Sequence, residues 1–261
     1  MEKYKTRTIE KSLNFLIDKC PVIMIAGPRQ VGKTTLLNHL KATSKKKINY
    51  ISFDNVLLRT QAREDPELFL RTYETPIIID EFQYVPELLS YIKIKVDKAR
   101  ENEMFGDGKE VGTMYYLTGS QVFQTMKNVS ESLAGRIGIL DLFGFSTREL
   151  NNEKEDIFVP DIKLLKKKEK LKNLSTLSIF ERIINGSFPE VNSVNGRNRE
   201  QFFETYIRTY LERDIRELIN IKDEAKFVKF ITSVAARTSQ EFNAYEISRD
   251  IGVDSKTIDE W

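Results

Sequence analysis

Cysteine and histidine are almost missing from this chain. Cys20 and His39 are the only ones among 261 residues. A single thiol excludes an intrachain disulfide, and one cysteine with one histidine is too few for a zinc site. An excess of one charge is missing too: 41 Lys and Arg stand against 39 Asp and Glu, a formal +2. No general field therefore draws the chain to nucleic acid. Long apolar runs are also lacking. The longest, around Val22–Ala26 and Ile77–Ile79, fall far short of the roughly 20 residues a bilayer crossing needs. The charged N-terminus has no signal-peptide stretch. The expectation is a protein off the membrane, in a reducing cytoplasm, with Cys20 as a small core residue. What is present is 40% apolar sequence, enough for a sizeable core and one to three domains. There is no internal repeat.

Strand and helix patterns alternate through the first half. Residues 8–19 read as an amphipathic helix with Ile9, Leu13, Leu16 and Ile17 on one side. Val22–Ala26 reads as a buried strand, Gly27–Gly32 as a loop and Lys33–Lys41 as a helix. Lys47–Phe53 is a second strand, residues 63–73 a helix with Pro66 near its start, and Pro76–Asp80 a third strand. A helix over 86–102, a turn-rich loop at Phe105–Gly112, and strands at Met114–Leu117 and Gly138–Leu142 follow. Such alternation predicts an α/β fold with a parallel sheet covered on both faces. After Phe145 the pattern turns helical. In 199–220, Phe203, Ile207, Leu211, Ile215 and Leu218 fall on one stripe. Asn243–Trp261 resembles a helix-turn-helix, with Ser248 four residues before Gly252. A helix ending on Trp261 without a cap or tail is expected of a piece cut from a longer chain.

Gly27-Pro28-Arg29-Gln30-Val31-Gly32-Lys33-Thr34 fits G-x-x-x-x-G-K-[ST] in full. The two glycines permit backbone angles other residues resist, so that N–H groups turn inward around a phosphate. The following helix adds its positive end. Lys33 is expected on the β- and γ-phosphates, the Thr34 hydroxyl on magnesium, and Thr35 near the α-phosphate. Guanine recognition would call for an N-K-x-D motif; none is seen, which favours ATP.

Pro76–Glu81 (PIIIDE) ends a strand in two carboxylates at the sheet edge where ligands of open α/β sheets bind. Asp80 is expected to orient magnesium, and Glu81 to deprotonate the attacking water. A simple phosphate-transferring kinase needs no such glutamate. From Thr118-Gly119-Ser120 at the next strand's end, Ser120 is the first candidate to hold that water and Thr118 the second; ordinary turn chemistry is the alternative for each. Arg136, just before the fifth strand, is either a transition-state arginine, acting in its own or a neighbouring subunit, or a surface ion pair.

Together these residues resemble the AAA+ ATPases, and more narrowly a prokaryotic AAA+ family whose members carry a C-terminal domain of nuclease-like fold. The resemblance rests on Ala26–Leu37 (AGPRQVGKTTLL), Ile78–Pro86 (IIDEFQYVP), Leu117–Gln121 (LTGSQ), Ser132–Arg136 (SLAGR) and Tyr210–Ile215 (YLERDI). It implies a P-loop sheet of spatial order 5-1-4-3-2. It also implies a nucleotide-binding core over 1–145, a helical lid over 146–230 and a partial winged-helix-like segment over 231–261. By position it makes Lys33 and Thr34 the phosphate and magnesium residues, Asp80 and Glu81 the acidic pair, and Ser120 the sensor. Arg29 and Gln30 are a local signature of that family. The implied activity is hydrolysis of ATP to ADP and phosphate with Mg2+, driving a conformational switch on DNA or a protein, in a monomer or a homo-oligomer. A slowly hydrolysing regulatory module and a small-substrate kinase are the alternatives.

Weaker signals point away from nucleic acid. The lysines at 163, 166, 167, 168, 170 and 172 read as a solvated face before a phosphate grip. The last helix carries Asp254, Asp259 and Glu260 against Lys256, which a phosphate backbone would repel, so structural or partner docking is favoured. Arg208, Arg213 and Arg216 stand beside Glu212, Asp214 and Glu217, making local ion pairs the default over nucleotide contact.

Overall fold

A computed structural model describes residues 4–106, 108, 110–119, 132–154, 159–167, 174–193, 198–210 and 223–261. It divides into two units, Met1–Gly196 and Arg197–Trp261. Residues 146–193 thus group with the sheet, whereas the resemblance places a boundary at 145.

The first unit is built on five parallel strands: β1 Val22–Ala26, β2 Asn49–Ser52, β3 Ile77–Asp80, β4 Tyr115–Gly119 and β5 Ile137–Asp141. Their order, β2-β3-β4-β1-β5, is the expected 5-1-4-3-2 read from the other side. This is the α/β sheet of P-loop NTPases. The two-residue period of a strand sorts its side chains. Val22, Met24, Ile77, Ile79, Tyr115 and Leu117 enter one core, with Phe69, Leu70, Leu88 and Ile92. These come from α4 (Pro66–Thr72) and α5 (Leu88–Phe105). Ile23, Ile25, Ile78 and Tyr116 enter the other, with Leu13 of α1 (Glu10–Leu16) and Leu36 and Leu37 of α2 (Lys33–Thr43). Helices therefore cover both faces.

One expected helix is two. Instead of 63–73, α3 spans Val56–Glu64 and α4 Pro66–Thr72. Pro66 lacks an N–H and disfavours helical angles in the residue before it. Asp65 accordingly leaves the helix, and its side chain accepts from the Leu68 N–H as the new cap. The loop expected from Phe105 starts one residue later, because α5 runs through Phe105. After β5 come α6 (Thr147–Leu150), α7 (Ile162–Lys167) and α8 (Thr176–Asn185). Lys163, Lys166 and Lys167 lie on α7; the lysines at 168, 170 and 172 fall outside the described residues.

In the second unit, α9 spans Arg199–Tyr210. Its buried side differs from the expected stripe: Phe202 is buried and Ile207 exposed. The ring of Phe202 stacks on Tyr206, and that of Tyr206 on Tyr210, at the i, i+4 spacing. Leu211–Ile215, Leu218, Arg213 and Arg216 lie outside the described residues. Three helices follow: α10 (Glu224–Ala236), α11 (Ala244–Ile251) and α12 (Ser255–Glu260). Gly252 makes the turn after α11 in the left-handed region, its N–H returning to Ser248 O. Trp261 packs on Phe227 and Phe230, so this tryptophan serves a small core. Among the described residues no helix is long and apolar enough to cross a membrane.

Candidate functional site

The phosphate loop leaves β1 at the carboxyl edge of the sheet. Gly27 has φ 148° and Gly32 φ 96°. A Cβ on Gly27 would stand 2.1 Å from the Leu142 carbonyl oxygen, so only glycine fits where the loop passes β5. Gln30 also sits at positive φ, 61°, on the exposed bend beside Arg29. Lys33 is buried. Its Nζ turns back into the loop, donating to the carbonyls of Gly27 at 2.9 Å and Pro28 at 2.8 Å. An ammonium held on loop carbonyls fits an anion entering the same concavity, which offers it a stronger, charged acceptor.

The strand period then assembles the acidic half. Ile78 and Asp80 share the face covered by α2, as do Tyr116 and Thr118. Thr34 is in the first turn of α2, and its hydroxyl reaches both oxygens of Asp80, at 3.0 and 2.9 Å. The Tyr50 hydroxyl donates to Asp80 Oδ2 at 2.9 Å from β2. Burial first, and then the Asp80 carboxylate, push the Tyr50 pKa up, so the phenol keeps the proton it donates. Thr118 Oγ1 donates to Asp80 Oδ1 and accepts the Glu81 N–H at 2.9 Å. Hydroxyl oxygen and carboxylate oxygen are hard donors of the kind magnesium takes, and here Thr34 and Asp80 converge beside the lysine loop.

Thr118, the second candidate for holding water, is fully buried. Its one proton goes to Asp80, so it orients the acidic pair from behind. Ser120 lies outside the described residues. Glu81 follows β3 with φ 55° and ψ 44°. The left-handed region disfavours a glutamate. The bond to Thr118 and a turn closed by Tyr84 N–H on Glu81 O at 3.2 Å hold it there.

Arg136 is not brought to this cluster. Ile137 opens β5 beside Val22, whereas the phosphate loop follows Ala26. In a parallel sheet the two ends of β1 are about 13 Å apart, and Arg136 stands at the far one. There it forms a two-pronged ion pair with Asp97 of α5, at 2.5 and 3.0 Å. The guanidinium holds the Asp97 carboxyl below the usual range. Of the two roles expected for Arg136, its own chain shows the ion pair.

Arg7 and Glu149, like Tyr50, escaped the motif reading. Arg7, 5% exposed, pairs with Glu149, 6% exposed, at 3.2 Å. The same guanidinium donates to the carbonyls of Val31 in the phosphate loop at 3.0 Å and of Phe143 at 2.6 Å. Glu149 accepts from the N–H groups of Thr8 and Ser146 as well. The pair thus clamps the N-terminal segment to the phosphate loop and to the start of α6. Ser146-x-x-Glu149 is a visible capping box, but nothing local ties it to Arg7. Beside the clamp a cavity of about 270 Å³ opens next to the loop, lined by Tyr4, Arg7, Gly32, Thr35, Phe145 and Pro189 among others. Its lining mixes the rings of Tyr4, Phe145 and Pro189 with the charged and polar side chains of Lys5, Glu190, Asn192 and Ser193.

Residues 19–151 match the AAA domain family, and 176–261 match a domain of unknown function. Uncharacterized protein Rv2008c of Mycobacterium tuberculosis and Uncharacterized protein Mb2031c of Mycobacterium bovis are each 25% identical over 241 residues. The match covers 92% of this chain and 46% of theirs, so the chain spans about half the length of these relatives. Among solved structures it is similar to the Aeropyrum pernix ORC2 protein in its ADP form, with 15% identity over 96% of this chain and 81% of that one, at a TM-score of 0.42. The Thermotoga maritima RuvB Holliday junction branch migration motor matches at 16% identity, 97% and 83% coverage and a TM-score of 0.42.

Proposed function

The chain belongs to the AAA domain family of P-loop ATPases, and on that footing we propose that it hydrolyses ATP to ADP and phosphate with magnesium. One observation carries the reading: the Thr34 hydroxyl, on the helix of the phosphate loop, meets both oxygens of Asp80 at the end of β3. That contact supports the reading by joining the phosphate-loop helix to the carboxylate at the end of β3.

In this reading Lys33 leaves the loop carbonyls for the β- and γ-phosphates. Thr34 and Asp80 hold the metal, with Tyr50 and Thr118 fixing the Asp80 carboxylate. Magnesium, when bound, neutralises charge on the phosphate oxygens. Glu81 takes a proton from water as the water oxygen attacks the γ-phosphorus and the bond to the β-phosphate oxygen breaks. The cavity lined by Tyr4, Phe145 and Pro189 takes the adenine, and Thr35 lies at its phosphate end.

Product analysis tests this against the alternatives. Incubation with ATP and magnesium should give ADP and inorganic phosphate in equal amounts. Phosphate appearing on an added acceptor instead would identify a kinase. Stimulation by duplex DNA would support a DNA-linked switch, and slow turnover with every partner a regulatory module.

Arg136 reaches a γ-phosphate in this reading only from a neighbouring copy, which makes the active form a homo-oligomer. R136A alone should then be slow. Mixing it with K33A, itself inactive, should restore turnover, because K33A subunits supply the missing arginine. Wild-type turnover by R136A alone, or no recovery on mixing, would remove this role.

A further inference from the structure

Gln83 stands two residues after Glu81, in the 3₁₀ turn Phe82–Tyr84. Its Nε2 donates to Glu81 Oε2. The other end of the amide, Oε1, is buried and has no hydrogen-bond partner among the described residues. That oxygen lies against the end of β4: a Cβ on Gly119 would stand 3.3 Å from it and 3.1 Å from Met24 Cε. A side chain at position 119 would therefore press on the amide.

The orientation of the amide follows from charge. Turned over, it would set its carbonyl oxygen against the carboxylate oxygen of Glu81, which accepts only. Kept as it is, the amide gains a charge-assisted bond at one end and leaves a buried acceptor without a partner among the described residues at the other. The two effects are of similar size and opposite sign. The contact therefore adds little to folding, and its consequence lies in where it puts Glu81. The Glu81 backbone is fixed by Thr118, but a glutamate side chain still has three rotatable bonds. A base must present one oxygen in one direction.

We propose that Gln83 is the positioning residue for Glu81: by holding Oε2 it fixes the carboxylate so that Oε1 is the oxygen offered to the attacking water. The inference rests on the hydrolytic reading above. It extends that reading to a residue that touches neither nucleotide nor metal.

The test is Gln83→Met, which keeps the length of the side chain and removes both the donor and the unmet acceptor. The melting midpoint should stay within about 2 °C of wild type. ATP affinity and KM should hold, while kcat falls by about 10- to 100-fold. Gln83→Glu, which sets a second carboxylate beside Glu81, should lower kcat as well. Wild-type or faster turnover by Gln83→Met, or a loss that runs in parallel with lost ATP affinity or a lowered melting midpoint, overturns the proposal. Glu81→Gln is run beside it. If Glu81→Gln is inactive and Gln83→Met is as fast as wild type, this inference alone fails. If Glu81→Gln is as fast as wild type, the hydrolytic reading fails and takes this inference with it.

Discussion

Glu81→Gln should bind ATP within a few-fold of wild type and release phosphate about 10²- to 10⁴-fold more slowly. The amide occupies the volume of the carboxylate but accepts no proton from water. Binding should survive because Glu81 holds neither phosphate nor metal in the proposed site. The groups that do are Lys33, Thr34 and Asp80, and their contacts to one another do not pass through the Glu81 side chain. Its backbone role is also untouched, since the N–H that Thr118 accepts remains. Equilibrium ATP binding and phosphate release, measured on the same preparation, separate the two effects. Turnover at the wild-type rate would show that Glu81 is not the base. Lost ATP binding would place it among the binding groups.

Gly27→Ala should destabilise the first unit and displace the phosphate loop. Position 27 has φ 148°, and a Cβ there would lie 2.1 Å from the Leu142 carbonyl oxygen. That carbonyl cannot easily retreat, because the Leu142 N–H is bonded to Ala26 O at 2.8 Å and ties the end of β5 to β1. The strained angle and the overlap each cost about 1–3 kcal/mol. For a chain of this size their sum lowers the melting midpoint by roughly 6 °C or more. The loop that survives is displaced, so the thermal shift produced by magnesium and ATP should vanish. Melting curves with and without nucleotide check both parts. An unchanged midpoint with an unchanged nucleotide shift would mean that the loop does not approach β5 as described.

The parts of the site written in consecutive residues were legible in the sequence. Gly27–Thr34 is one such run, and Ile77–Glu81 is another, because a strand that ends in carboxylates delivers them to one edge. The parts set by register were not. Tyr50 and Thr118 reach Asp80 across 30 and 38 residues of sequence, and only the pairing of β2, β3 and β4 shows which side chains share its face. Arg7 and Glu149 meet across 142 residues, and no local pattern joins them. Arg136 teaches the opposite lesson. A residue preceding a parallel strand stands at the edge away from a loop that follows one, so strand direction alone already separated it from Lys33 in its own chain. The break between α3 and α4 is written in Asp65-Pro66: the proline takes the first helical position and Asp65 caps it, so the helix begins at Pro66 and not at 63. On α9 the buried residue is Phe202, one position before the Phe203 that the stripe pointed to, and Ile207 of that stripe is exposed.

The central claim is that the phosphate loop and the Asp80–Glu81 pair form one hydrolytic site. Release of inorganic phosphate from ATP by this chain tests it most directly, with magnesium present or chelated and with Glu81→Gln alongside. The account predicts release that requires magnesium and falls to background in Glu81→Gln. Release by wild type that is no faster than by Glu81→Gln, with magnesium and with duplex DNA present or absent, would contradict it.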